Sequence, residues 1–239
     1  MTRQLALLWC PPRPPALARD PAWLPWRGTT LLQHLCHVLA EAVDEVVVVA
    51  GRAQRVPPLA APFALRRRLP TRARLHALAP AQRSLIVPCD MPQLDATRVR
   101  TCAGRRAVCD LREAAPSAGG TPPGHAHFAR IRCGDDYLRA VREDSRAARA
   151  AGSDAAAPQA RLEFVGRARR LAGTDAIAVP IGSLAQVLSH APAPLALCRG
   201  DRVAAPFLVS LGGRDFIRDA RAPVGPGERV IVLDSSAGG

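Results

Sequence analysis

The first half of the chain contains continuous apolar runs and one segment whose apolar residues recur with the period of an α-helix. The runs Leu5–Trp9 and Glu45–Ala50 flank residues 31–42, whose apolar side chains fall on one helical face after the N-cap candidate Thr30. Strands that are apolar throughout are typical of a parallel sheet buried on both faces. With a further apolar run at residues 85–88, the order strand, helix, strand predicts a doubly wound α/β domain, whose ligands bind at the carboxyl ends of the strands.

The pattern changes over residues 160–239, where short alternating strands are separated by glycine and proline. Ser183 is an N-cap candidate for a short helix, and Gly212 and Gly213 carry a strong turn signal. In chain order the elements are a hairpin, a helix, a strand, a turn and a strand, which is the order of a β-grasp domain of the α+β class. They lie at residues 161–165, 176–180, 184–189, 207–211 and 229–233.

Length and cysteine content indicate two domains in a reducing compartment. A chain of 239 residues suits two domains of about 100–150 residues each. Seven cysteines without a C-x-x-C pair predict reduced thiols, neither a disulfide framework nor a zinc site. Residues 5–10 are too short for a signal peptide and no apolar segment reaches the ~20 residues of a membrane span, so we expect a soluble, cytoplasmic protein with no membrane partner.

The charge of the chain is strongly positive and unevenly distributed. All 33 basic residues are arginine and the formal net charge is +13. Residues 160–239 hold 10 arginines and 7 acids, whereas residues 1–159 hold 23 and 13, so the basic excess lies in the N-terminal part. This favours anionic ligands. Aromatic residues are only 4% and form no interleaved stacking pattern, which argues against nucleic acid.

The C-terminal residues carry a specific resemblance to a known family. The matching segments are F-V-G-R-A-R-R-L-A-G at residues 164–173 and P-V-G-P-G-E-R-V-I-V-L at residues 223–233, followed by A-G-G at residues 237–239. Residues 160–239 thereby resemble the ubiquitin-like sulfur carriers of the molybdopterin synthase small-subunit and thiamine sulfur-carrier type. The resemblance implies a β-grasp fold and a carrier without catalytic residues of its own.

In that family the chemistry takes place on the terminal glycine. An ATP-dependent activating enzyme adenylates it, and sulfur transfer then produces a thiocarboxylate. The resemblance therefore assigns the sulfur-carrying tail to Ala237, Gly238 and Gly239, with the activating enzyme and the large subunit of molybdopterin synthase as partners. Glycine has no Cβ, so such a tail passes through a channel too narrow for other residues.

The N-terminal residues are similar to molybdenum cofactor guanylyltransferase. The matching segments are D-P-A-W-L-P-W-R-G-T-T-L-L at residues 20–32, D-E-V-V-V-V-A at residues 44–50 and V-P-C-D-M-P-Q-L at residues 87–94. That family opens with L-A-G-G-x-S-x-R-M-G-x-D-K, a loop whose backbone N–H groups hold nucleotide phosphates. In an ungapped alignment Pro11 and Pro12 stand at the paired glycines and Pro21 at the lysine. Proline has no N–H, so the loop is degenerate.

A few polar residues remain for the chemistry of that family. Arg13 and Arg19 are the candidate phosphate contacts by their charge, which is a weak substitute for the missing backbone donors. The resemblance implies Mg²⁺ and GTP as ligands, with Asp90 as the metal ligand. The alternative, that Asp90 only caps the following turn, stays open. The asparagines of the family's N-x-N-T-P-E-D segment are replaced by Arg130 and Arg132.

These observations predict a guanylyltransferase-like domain over residues 1–142, a linker over residues 143–159 and a sulfur-carrier domain over residues 160–239. The predicted function is sulfur transfer in molybdenum cofactor biosynthesis, with the first domain an inactive pseudoenzyme that serves as scaffold or docking module. The alternative is an active nucleotidyltransferase that attaches GMP or CMP to the molybdenum cofactor. A binding protein whose tail is never activated is the third hypothesis.

Overall fold

A computed structural model describes residues 4–67, 75, 84–103, 108–111, 130–153, 156–193 and 195–235. The chain divides into two compact units. Unit 1 comprises Met1–Arg13 and Asp20–Ile131, and unit 2 comprises Pro14–Arg19 and Arg132–Gly239. The short segment of residues 14–19, which follows the first strand in sequence, therefore belongs to the same unit as the C-terminal part of the chain.

The described residues of unit 1 form strands and helices in alternation. Its helices are α1 (Leu31–Ala40) and α2 (Ala96–Ala103), with a 3-10 helix at Pro21–Trp23. Its strands are β1 (Leu5–Trp9), β2 (Pro25–Trp26), β3 (Thr29–Thr30), β4 (Glu45–Ala50), β5 (Ala64–Arg67), β6 (Ser84–Pro88) and β7 (Val108–Asp110).

A five-stranded sheet with the order β5-β4-β1-β6-β7 forms the centre of unit 1, and all its neighbouring strands run parallel. Leu7 lies opposite Val47 on one side and Ile86 on the other, and these side chains pack together on one face. Ala6 and Leu8, which alternate with Leu7, are fully buried on the opposite face. The prediction of a parallel α/β sheet is confirmed for this unit, and its central strands β1, β4 and β6 are buried on both faces, whereas the edge strand β5 is exposed.

Helix α1 begins where the sequence predicts. The Thr30 hydroxyl accepts a hydrogen bond from the backbone N–H of Gln33, and the Gln33 side chain returns to the backbone of Thr30, which makes a capping box. The face of α1 that contains Leu31, Leu32 and Leu35 is completely buried. Each fully buried leucine contributes about 1.5–3 kcal/mol to folding, so this face holds α1 against the sheet.

Unit 2 is rich in short strands. Its helices are α3 (Gly134–Ala150), α4 (Arg167–Ala172) and α5 (Leu184–Leu188). Its strands are β8 (Gln159–Phe164), β9 (Ala176–Pro180), β10 (Gly182–Ser183), β11 (Cys198–Arg199), β12 (Arg202–Val203), β13 (Phe207–Leu211), β14 (Asp215–Ile217), β15 (Pro223–Val224) and β16 (Arg229–Asp234).

The main sheet of unit 2 has the order β14-β13-β16-β8-β9. The last strand, β16, lies in the middle, parallel to β8 and antiparallel to β13. Its buried residues Val230 and Val232 pack with Leu162, Phe164 and Val209 from the neighbouring strands. Ser183 caps α5 through a capping box with Gln186, as predicted for this helix.

One predicted element of unit 2 differs from the structure. The sequence pattern indicates a turn closed by residues 171–173, whereas residues 167–172 form the helix α4, which Gly173 ends in the left-handed conformation. Six residues are too few to show a helical repeat in the sequence. Within residues 143–159, the segment assigned to the linker, the sequence predicts that the first half extends a helix begun at Asp135, and residues 143–150 do continue α3, since arginine and alanine are strong helix formers. The helix α3 belongs to unit 2, so the compact units divide the chain before residue 142.

Among the helices of the described residues, none has the length and apolar character needed to cross a bilayer.

Candidate functional site

The candidate nucleotide site of unit 1 lies at the carboxyl ends of its central strands. Cys10 directly follows β1, and Asp90 follows β6 after Cys89. Asp90 is 3% exposed, which is rare for a carboxylate that lacks a partner. The partner of Asp90 therefore decides what this end of the sheet can do.

Asp90 is held by an arginine from forty residues further along the chain. The Nε atom of Arg130 lies 3.0 Å from Oδ1 and 3.1 Å from Oδ2 of Asp90, and its Nη2 atom lies 2.7 Å from Oδ2. The backbone N–H of Ile131 also donates to the carbonyl oxygen of Asp90 at 2.9 Å. A guanidinium that meets both oxygens of a carboxylate makes one of the stronger hydrogen-bonded ion pairs in proteins.

The proline-rich loop after β1 is closed by a glutamine. The Nε2 atom of Gln54 donates to the carbonyl oxygen of Pro11 at 3.0 Å and to Oδ2 of Asp20 at 2.8 Å. The other oxygen of Asp20 accepts from the N–H of Ala22 at 3.0 Å and so caps the 3-10 helix. In the degenerate loop, side-chain and carbonyl groups therefore bond to one another, whereas a phosphate-binding loop presents free N–H groups.

Burial sets the protonation of Asp20. Desolvation raises the pKa of Asp20 above its ordinary value of 3.8, and it outweighs the hydrogen bonds from Gln54 and Ala22 and the charge of Arg13, which lower the pKa. The exposed Arg13, one of the two predicted phosphate ligands, thus acts electrostatically on Asp20.

The other predicted phosphate ligand, Arg19, belongs to unit 2. Its Nη1 atom is 2.5 Å from Oε1 of Glu228, and the two side chains are only 10% and 5% exposed. The second carboxylate oxygen of Glu228 accepts from the N–H of Gly225 at 3.0 Å, within the turn that precedes β16. The two arginines that the sequence predicted together thus lie in different units, and Arg19 already has a buried carboxylate partner.

Buried thiols lie beside the carboxylates of unit 1. Cys10, Cys36 and Cys89 are fully buried. Burial, and then the proximity of Cys10, raises the pKa of Cys36 to about 12, while the hydrogen bond with Cys10 and then burial raise the pKa of Cys89. A raised pKa keeps a thiol protonated at neutral pH and so disfavours Cys36 and Cys89 as nucleophiles.

The predicted tail, Ala237, Gly238 and Gly239, lies outside the described residues. The strand that leads to it ends at Asp234, whose carboxylate is 1% exposed and lies 3.6 Å from Nη1 of Arg167. The next residue, Ser235, donates its N–H to the carbonyl oxygen of Pro206 at 2.8 Å. The chain is therefore fixed in place up to residue 235.

Two residues of the site were not predicted in their observed roles. The sequence indicates Arg130 only as the replacement of a family asparagine and gives no sign that Asp90 is its partner. Gln54 follows the carboxyl end of β4, and that location was the only available signal for it. In the described part of the chain, no group of three or more histidine, cysteine, aspartate or glutamate side chains is arranged to hold a metal ion.

Comparison with known families gives one match. The model of the MobA-like NTP transferase domain matches residues 17–157, which is more than half of the chain. No curated protein matches the sequence significantly.

Solved structures give weaker similarities. A nucleotidyl transferase from Methanothermobacter thermautotroptrophicus is 19% identical with a TM-score of 0.34, over 43% of this chain and 57% of that one. The protein Rv0371c from Mycobacterium tuberculosis is 17% identical with a TM-score of 0.38, over 58% of this chain and 98% of its own. Its homologue from Mycobacterium sp. strain JC1 is 15% identical with a TM-score of 0.40, over 61% and 98%. TM-scores this low carry no inference about fold or function.

Proposed function

The chain belongs to the MobA-like NTP transferase domain family, and from that premise we propose that it serves molybdenum cofactor biosynthesis as a sulfur carrier. In this proposal unit 2 is a ubiquitin-like β-grasp domain that presents a C-terminal Gly-Gly. Unit 1 is then a transferase-like scaffold or docking module that does not itself catalyse. The finding that carries the proposal is the position of β16 at the centre of its sheet, separated by three residues from Gly238 and Gly239 in the sequence.

The strand pairing of unit 2 supports the β-grasp assignment. The antiparallel pair β8 and β9 comes first, the helix α5 follows, and the last strand β16 inserts between β8 and β13. A parallel pairing of the first and last strands requires a crossover between them, and the segment with α5 lies in that crossover. The edge hairpin β13 and β14 turns at Gly212 and Gly213, whose φ angles of 63° and 72° favour glycine.

The end of β16 suits a carrier because its base is rigid. Both edges of the strand are hydrogen-bonded to neighbours, and Ser235 is tied to Pro206. Four residues follow Ser235 in the sequence, and four residues of extended chain reach about 14 Å. A fixed strand with a short glycine end could place a terminal carboxylate inside a partner's site while the sheet remains outside it.

The proposed chemistry occurs on the carboxylate of Gly239. One of its oxygens attacks the α-phosphorus of ATP, pyrophosphate leaves, and the resulting acyl adenylate carries AMP as a good leaving group. A sulfur nucleophile from the activating system then forms a C–S bond as the C–O bond to AMP breaks. The proposed partners are that activating enzyme and the large subunit of molybdopterin synthase, which receives the thiocarboxylate.

Intact mass spectrometry tests the proposal. The full chain is incubated with ATP, a sulfur source and the cognate activating enzyme, and we expect a gain of about 16 Da, the replacement of one oxygen by sulfur. A chain that lacks Gly239 should gain nothing, whereas the matched variant D90N, altered only in unit 1, should gain as much as the wild type. The untreated mass also shows whether Gly239 ends the mature chain, which the proposal requires. No gain by the full chain, with an activating enzyme that modifies another carrier, would refute the proposal.

Family membership favours a second function, nucleotidyl transfer to the molybdenum cofactor. Proteins of this family typically use a nucleotide and a divalent metal. In that case Asp90 would bind the metal and Arg13 the phosphates of GTP or CTP. Pyrophosphate release that requires the molybdenum cofactor, and that is lost in D90N, would support transfer of GMP or CMP. If no pyrophosphate is released with either nucleotide, this alternative is refuted and the carrier proposal is unaffected.

A further inference from the structure

The carboxylate expected to hold a metal in unit 1 already has a cation of its own. Both oxygens of Asp90 face the guanidinium of Arg130, with three N–O distances between 2.7 and 3.1 Å. A Mg²⁺ ligand must instead direct an oxygen lone pair at the metal, at about 2.0–2.1 Å. Arg130 and a divalent ion therefore compete for the same atoms of Asp90.

The carboxylate of the pair is buried, which favours the cation that the chain itself supplies. The side chains of Asp90 and Arg130 are 4% and 28% exposed. The N–H of Ile131 bonds to the carbonyl oxygen of Asp90, so the backbone beside Arg130 is fixed next to the carboxylate. The fold already places Arg130 beside Asp90, whereas a divalent ion that binds from solution must first lose tightly bound water molecules.

While Arg130 holds Asp90, the carboxylate of Asp20 is likewise engaged by partners of its own. Asp20 already accepts hydrogen bonds from the side chain of Gln54 and the backbone N–H of Ala22. Burial also raises the pKa of Asp20, which disfavours the anionic form that a metal requires. Across the described residues, no cluster of three or more such side chains could hold a metal.

We propose that Arg130 takes the place of the divalent metal of the family, so that Asp90 and Arg130 form a permanent ion pair and unit 1 binds no divalent cation at Asp90. The residues present do not fit the metal that the family implies. This inference concerns unit 1 alone and does not depend on the sulfur-carrier proposal.

Titration of the full chain with Mn²⁺, followed by the loss of the free-ion electron paramagnetic resonance signal, tests the proposal. We expect the wild type and D90N to bind Mn²⁺ with the same affinity, because Asp90 takes no part. The variant D90N keeps an oxygen that accepts from Arg130, and circular dichroism verifies that it is folded. Tighter Mn²⁺ binding by the wild type than by a folded D90N would overturn the proposal.

A second pair of variants tests the role of Arg130 directly. R130N restores the residue type of the family and frees the carboxylate, so we expect Mn²⁺ affinity to rise by about ten-fold or more, within the range by which neighbours of metal ligands change affinity. The double variant R130N/D90N should lose that gain. R130Q, with a longer amide, serves the same purpose if R130N does not fold. A folded R130N or R130Q that binds Mn²⁺ no better than the wild type would also overturn the proposal.

Discussion

Replacement of Arg19 by methionine should destabilise unit 2, although the sequence suggested a phosphate ligand at this position. Arg19 and Glu228 are 10% and 5% exposed, so R19M leaves a buried carboxylate without its cation. Loss of one partner of a buried pair costs about 3–5 kcal/mol. Glu228 keeps its hydrogen bond from the N–H of Gly225, which places the expected cost near the lower end, at about 3 kcal/mol. The hydrophobic methionine stem retains part of the packing of the arginine.

A loss of this size is large for a unit of this length. Total domain stabilities are about 5–15 kcal/mol. Unit 2 has 114 residues, of which Arg132–Gly239 make up 108. For a domain of this size each kcal/mol shifts the melting temperature by roughly 3–5 °C, so R19M should lower the melting temperature of unit 2 by roughly 10 °C. Hydrogen exchange localises the effect: amides of β8 and β16, on either side of their shared ladder, should exchange faster.

The arginine at position 13 offers a matched control. Arg13 is exposed and lies in unit 1, so R13M should change stability by no more than about 0.5 kcal/mol, as usual for a surface substitution. The double variant R19M/E228Q removes the buried charge as well and should be more stable than R19M. The reasoning is refuted if R19M has the melting temperature of the wild type. It is also refuted if the loss of stability in R19M/E228Q equals the sum of the losses in R19M and E228Q.

Three further predictions concern titration and capping. Burial, and then the negative charge of Glu228, raise the pKa of Tyr137, the only tyrosine of the chain. The native protein should therefore show no tyrosinate absorbance at pH 10.0, the ordinary pKa of tyrosine. A folded chain whose tyrosine is half-ionised at pH 10.0 would contradict this prediction. The raised pKa of Asp20 means that its contribution to stability is present below pH 3.8 and is lost as the pH rises through the raised value. In urea denaturation, the free energy of unfolding of D20N should therefore rise relative to that of the wild type as the pH increases. A difference between the two that stays constant with pH would refute the direction of the pKa shift. S183A breaks the capping box with Gln186 and should cost about 1 kcal/mol in the same melts, with Q186A intermediate.

The sequence predicts local structure in this chain better than it predicts partners. The starts of α1 and α5 follow from Thr30 and Ser183, because a cap acts within three residues and its chemistry is written locally. The position of Asp90 at a strand end follows from one apolar run. The pairing of Asp90 with Arg130 cannot be predicted from the sequence, because forty residues separate the two and no periodic pattern of residues spans such a distance. The assignment of residues 14–19 to unit 2 likewise depends on tertiary contacts.

The polar groups of unit 1 bear on its function because an active site keeps such groups available for its ligand. Here Asp90 is bound by Arg130, and Asp20 and the carbonyl oxygen of Pro11 are bound by Gln54. A nucleotide and its metal ion could bind here only by breaking these hydrogen bonds. Each buried donor or acceptor that then lacks a partner costs about 1–3 kcal/mol. The prolines of the loop supply no N–H groups to offset that cost. Unit 1 therefore holds, at the strand ends where a transferase of its family would bind a nucleotide, polar groups that are already bonded to its own side chains.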